Sequence, residues 1–238
     1  MKRYFKLLTT VLFAVSTINS YGSFMVTQTS FGVDLAKPVT EDTTLINQGD
    51  KTVRVRVDFE KPSWTKDEHY LGDQLVAYPK IVIIPPKGKI QVKIAPRIKK
   101  DLEDGEFVAF LMFKEIPPRN TKDQLTMLMN VGVPYYGRKG KLLTGIDFED
   151  LRVKKSEDGY ELLGSGKNIG NFSYNIKVDI KLYKNKKLIA DETFKQAFYR
   201  DALVKLKKSI SMDAKADYAE VIFENEKVNF SKGFTFDL

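Results

Sequence analysis

Catalysis needs a nucleophile, a base or a metal, and this chain of 238 residues offers few: it holds one histidine and no cysteine. Without cysteine there is no thiol nucleophile, no disulfide and no Cys/His zinc site. A serine–histidine–aspartate relay would have to use His69, which sits in the charged run Lys66-Asp67-Glu68-His69-Tyr70 close to Trp64. With no fixed partner in that run, the expectation is a solvated loop histidine and not a general base. Asp101, Glu103, Asp104 and Glu106 cluster around Gly105. Their spacing is not that of an EF-hand loop, and a hairpin turn accounts for them. Lys205, Lys207 and Lys208 form a small basic patch, expected to be a solvated face. The chain has no glycine-rich phosphate loop and no metal-ligand triad. The expectation is a binding protein that is not an enzyme, with no cofactor and no metal.

Hydrophobic residues make up 42% of the chain and charged residues 29%, enough to bury a core. The formal charge of +8 includes Lys2, Arg3 and Lys6 and drops to +5 without them. That excess is mild and mixed with acids, which argues against a nucleic-acid partner. Lys2, Arg3 and Lys6 precede the apolar run Leu7–Ser16 and the small, polar Asn19-Ser20-Tyr21-Gly22-Ser23. These are the three regions of a secretory signal peptide, expected over residues 1–22, with the mature chain starting between Tyr21 and Phe24. The run is far shorter than the ~20 apolar residues of a membrane span, and no cysteine follows it to carry a lipid. Export to the periplasm is therefore expected.

The elements that would position any site are strands. In Lys51–Glu60, Val53, Val55, Val57 and Phe59 share one face, while Arg54, Arg56 and Asp58 share the other. That alternation marks a half-buried antiparallel strand. Thr43–Asn47, Lys80–Ile84, Lys89–Ala95, Glu106–Glu115 and Leu125–Tyr136 are further strand patterns, separated by turns such as Asn47-Gln48-Gly49-Asp50 and Pro85-Pro86-Lys87-Gly88. Beyond the polar stretch Gly137–Lys141 the pattern restarts. Six more candidates are Tyr160–Leu163, Ser173–Tyr183, Leu188–Phe194, Ala202–Met212, Ala216–Glu224 and Lys227–Phe236, with a helix over Ala197–Lys208 as an alternative. Short strands with frequent turns predict an all-β protein, two β-sandwich domains over residues 23–138 and 142–238.

Several stretches carry a resemblance. Ile83–Ile94 is a strand–proline–glycine–strand unit, followed by Asp104-Gly105-Glu106 and by Lys114-Glu115-Ile116-Pro117-Pro118-Arg119. A long alternating strand then ends in Tyr135-Tyr136-Gly137-Arg138, and the second half adds Asn168-Ile169-Gly170-Asn171. This order resembles the periplasmic pilus-assembly chaperones of the chaperone–usher pathway, with the KEIPPR run as its most specific piece. The resemblance implies two immunoglobulin-like domains, with pilus or adhesin subunits and an outer-membrane usher as partners. It also implies strand addition, in which backbone bonds give affinity and alternate side chains enter pockets.

In Leu125–Tyr136 the odd positions, Leu125, Met127, Met129, Val131, Val133 and Tyr135, are all apolar, while the even positions are mixed. Alternation alone assigns such a face to the core. The resemblance assigns Leu125, Met127 and Met129, continuing to Val131, to subunit binding, where unbranched methionine suits pockets of variable shape. An exposed apolar face of this kind also predicts self-capping, by a loop or a second copy. The family's Arg and Lys anchors for a subunit carboxylate are missing. Alignment on Asn47 places the first near Phe31 and the second on Pro134, with Lys37 and Arg138 as the substitutes on offer. Arg138 is instead expected to tie the two domains together. The departure keeps a second reading open, a non-catalytic structural or adhesive immunoglobulin-like protein of the cell envelope.

Overall fold

The computed structural model describes residues 23–99, 101–118 and 127–238. The expected signal peptide and Leu125 lie outside the described residues. The first half holds β1 (Met25–Val26), β2 (Phe31–Asp34), β3 (Glu41–Ile46), β4 (Val53–Glu60), β5 (Leu75–Tyr78), β6 (Ile81–Ile84), β7 (Lys89–Pro96), β8 (Gly105–Glu115) and β9 (Asn130–Lys139). The second holds β10 (Ile146–Ser156), β11 (Gly159–Asn168), β12 (Tyr174–Lys184), β13 (Lys187–Phe198), β14 (Leu203–Ser211), β15 (Tyr218–Asn225) and β16 (Phe230–Asp237). Sheets of order β1-β3-β7-β5 and β2-β9-β8-β4-β6 face each other in the first half. Sheets of order β10-β11-β14 and β13-β12-β15-β16 do so in the second.

Each half closes on its own core. The alternation of β4 buries Val53, Val55 and Val57 against Val92 and Ile94 of the facing sheet, with Leu111, Phe113, Val133 and Tyr135 alongside. In the second half Ile176, Val178, Ile180 and Leu182 of β12 pack with Leu162, Leu206 and Phe223. A strand that is apolar on one face only can hide that face in just one way, between two sheets.

The two sandwiches repeat one device. Asn47, at the end of β3, accepts Gly49 N on Oδ1 and donates Nδ2 to the carbonyls of Lys51, Ile84 and Pro85. Asn168, at the end of β11, accepts Gly170 N on Oδ1 and donates Nδ2 to Phe172 O and Phe198 O. Both asparagines are buried. Each side chain satisfies loop carbonyls that the sandwich would otherwise leave dry and unpaired.

β1 and β5 had no counterpart among the expected strands, and three further local differences have physical causes. The helix alternative over Ala197–Lys208 is replaced by the end of β13, a turn with Asp201 at φ 70°, and β14. β10 had no counterpart among the expected strands. Its register slips between Glu149 and Arg152, so apolar Ile146 and Phe148 precede the bulge, while Leu151 within it and Val153 beyond it have the opposite parity. β2 pairs in parallel with β9, which no local turn announces.

Candidate functional site

β9 is the strand to which the sequence points. Its odd residues face β8 with their backbone groups: Glu115 N donates to Met129 O, and the pairs run Phe113–Val131, Leu111–Val133 and Ala109–Tyr135. The even residues turn their backbone groups the other way. There β2 covers the lower half, from Phe31 opposite Tyr135 to Asp34 opposite Arg138, and Leu35 N donates to Arg138 O. Pro134 lies where β2 has not yet begun. Its missing N–H faces away from β8, so a proline sits inside a paired strand without breaking the β8 ladder.

The strand expected over Leu125–Tyr136 is observed as Asn130–Lys139, so of the predicted binding residues Met127 and Met129 precede β9 and Val131 lies in it. Met127 is 87% exposed, and Leu128 beside it is 43% exposed. Met129 and Val131 are half-buried and pack on the first core. Val133 and Tyr135, on the same face, are fully inside it. The Glu115 carboxylate accepts Met129 N at 2.9 Å and Ser23 Oγ at 2.6 Å, which fixes the start of the strand. Phe31, near which the family's arginine anchor would fall, is a core ring 5.5 Å from Tyr135. Burial of Tyr135 pushes its hydroxyl well above the ordinary tyrosine range.

Below β9 the acidic cluster does more than turn the chain. Glu106 is 1% exposed. Its Oε1 accepts Ser173 N, its Oε2 accepts Arg138, and its own N–H donates to Asn171 O. Arg138 also reaches Ser173 O at 3.4 Å and lies 5.5 Å over the Phe172 ring, both in the second sandwich. Asp101 pairs with Lys139, Asp104 accepts Lys141 N, and Glu103 takes Arg200 Nη2 at 2.6 Å. Arg200 is buried and donates Nη1 to Glu106 O. Gly105, at φ +136°, lets this happen: a Cβ there would stand 2.7 Å from Asn171 O and 2.8 Å from Arg200 Nη1. The expected simple hairpin turn is thus a clasp between the sandwiches.

His69 also departs from expectation. It is 7% exposed, with Nδ1 at 2.5 Å from Asp201 and Nε2 at 3.1 Å from Glu103. The local sequence showed only a charged loop, because Asp201 arrives from 132 residues away. Nearby Trp64 stacks on Tyr199 at 4.5 Å, a second contact across the joint. Among the described residues no group of three or more His, Asp or Glu could hold a metal ion.

Comparison with known proteins bears on this arrangement. Residues 23–134 match the family described as "Pili and flagellar-assembly chaperone, PapD N-terminal domain". A search of curated protein sequences finds no match. Among solved structures, one of a chaperone–tip adhesin complex of CFA/I fimbriae biogenesis superposes with a TM-score of 0.54 at 12% identity, covering 89% of this chain and 96% of the other. The YadV chaperone gives 0.52 at 15% identity, with 91% and 100% covered. The E. coli chaperone DraB gives 0.50 at 12%, with 91% and 98% covered. At such identities these likenesses establish the shared two-sandwich fold. Residues 23–134 thus match the N-terminal domain of the pili and flagellar-assembly chaperones, and the chain as a whole shares the two-sandwich fold of solved pilus chaperones.

Proposed function

We propose that the protein is a periplasmic chaperone that binds pilus or adhesin subunits by lending them the β9 strand and its N-terminal extension, and delivers them for assembly at an outer-membrane usher. The observation that carries this reading is the state of β9 where β2 leaves it uncovered. Among the described residues nothing pairs with the backbone edge there, and it lies beside Met127 and Leu128, two exposed apolar side chains that a monomer would rather hide. Strand addition satisfies the backbone edge, and apolar pockets in the partner would take the side chains. One structural neighbour comes from a chaperone–tip adhesin complex, which supports the same class of client. The action is binding, without catalysis, cofactor or nucleic acid, and a self-capped dimer would protect the same edge between clients.

The test is co-expression of the chain with candidate subunits and co-purification of the pair. Wild type should hold its subunit, and Met127→Asp should lose it while remaining folded. A folded Met127→Asp that still holds the subunit would remove β9 donation. Alignment on Asn47 puts the family's two anchor cations near Phe31 and on Pro134, neither of which can carry a charge. These two residues favour the second reading, an envelope-structural protein, if no subunit is captured by wild type at all.

A further inference from the structure

His69 ends a short 3-10 turn, Asp67–His69, in the first sandwich. Its ring lies between two carboxylates from different halves of the molecule: Asp201 in the turn before β14 and Glu103 ahead of β8. The Asp201 side chain is as buried as the imidazole, each 9% exposed. A neutral imidazole carries one N–H and can donate to only one carboxylate, turning a lone pair on the other. An imidazolium donates to both.

The charges around the ring come from every side. Arg200, from the second sandwich, reaches the same Glu103 oxygen as His69 does. Lys66 stands 3.8 Å from Asp201. Asp67 and Glu68, on the same turn as His69, pair with Lys61 and Lys66. The Phe107 ring closes the remaining side, edge-on at 6.0 Å. The cluster therefore sets four carboxylates, Asp67, Glu68, Glu103 and Asp201, against three cations, Lys61, Lys66 and Arg200, with the imidazole charge as the variable member.

We propose that His69 makes the domain joint pH-dependent: the charged imidazole ties Asp201 of the second sandwich to Glu103 of the first, and its neutral form gives up one of these ties. The Arg200 hydrogen bond first, and the His69 hydrogen bond second, hold the Glu103 carboxyl below the usual carboxylate range. Glu103 thus remains a charged partner on the acid side of the transition. The joint is therefore tightest where the imidazole is charged and slackens as rising pH removes its proton. This device is independent of what the protein binds.

The chain's single histidine makes the test clean. In untagged mature protein, one imidazole signal reports the ring's charge by NMR titration. Hydrogen exchange of the Glu106 and Ser173 amides reports the joint, since their acceptors, Asn171 O and Glu106 Oε1, lie across it. After correction for intrinsic exchange, these amides should open about tenfold more at about pH 8 than at about pH 5.5. In His69→Gln the difference should vanish. Equal protection at both pH values in wild type, or an unchanged difference in His69→Gln, overturns the proposal. If His69→Gln does not fold, the wild-type titration decides: a ring already neutral at about pH 5.5 overturns it, and a ring whose charge loss coincides with the opening of the joint upholds it.

Discussion

Arg138 grips Glu106 through two nitrogens, Nε at 2.9 Å and Nη2 at 2.8 Å, both from the same carboxylate oxygen. The acid is buried and the arginine is partly open to solvent, so the two are not interchangeable. Removing the arginine leaves a buried carboxylate with Ser173 N as a side-chain partner. Arg138→Ala should therefore lower stability by about 1.5–3 kcal/mol in urea unfolding. It should also widen the distribution of domain angles in solution scattering. An unchanged unfolding midpoint with an unchanged scattering profile would show that the clasp does not depend on this pair.

The paired asparagines make a second prediction. Asn47→Ala and Asn168→Ala each strand two or more loop carbonyls inside a sandwich. Each should cost about 1–3 kcal/mol. The losses should be local, Asn47→Ala loosening amides of the first sandwich and Asn168→Ala those of the second. Equal loosening of both halves by either variant would mean that the two sandwiches unfold as one unit.

Alkaline pH should unfold the protein. Tyr136 is pushed up to about 12 by burial first, then by the charges of Glu106 and Tyr199, against a lowering influence of Arg138. Tyr70, Tyr135 and Tyr174 are raised chiefly by burial, and Tyr183 chiefly by its hydrogen bond to Glu220. An unfolded tyrosine releases its proton near pH ~10, while these folded ones still hold theirs. Above that pH the unfolded chain binds fewer protons, so stability must fall as pH rises. Phenolate absorbance from Tyr70, Tyr135, Tyr136, Tyr174 and Tyr183 should appear only above the ordinary tyrosine range, together with unfolding. A single smooth titration of all the tyrosines in a folded protein would contradict this.

Met127 and Met129 should behave differently although they share a parity. Met127→Asp places a charge in solvent and should leave the melting temperature nearly unchanged. Met129→Asp puts a carboxylate against the first core and should destabilise by about 1–3 kcal/mol. Thermal melts of the two variants separate the exposed arm from the part of the face that serves the sandwich.

The fold was largely legible from alternation, because β4, β7 and β12 each hide one face and show the other. β10 escaped because a bulge reverses parity midway, which a period-two reading takes for noise. β2 escaped because four residues pairing in parallel leave no turn signal. The joint escaped for another reason. Glu106, Arg200 and Asp201 are ordinary surface residues by local composition, and only long-range packing brings them together with His69 and Arg138. The apolar face of Leu125–Tyr136 was visible in sequence, but where it leaves the core and enters solvent was not. That boundary falls between Met127 and Val133 and is set by where the facing sheet ends.

Pro134 gives β9 a full stop. A strand laid along the open edge can zip up only through the outward amides that β2 leaves free, and in the described part of β9 those are Asn130 and Gly132. At Pro134 there is no hydrogen to offer, and one residue later β2 already occupies the lane. Any visiting strand must therefore be read in a fixed frame from this end, because sliding two residues further would forfeit a backbone bond and collide with Phe31. The proline works as a ruler, setting where a guest strand must end without touching its side chains.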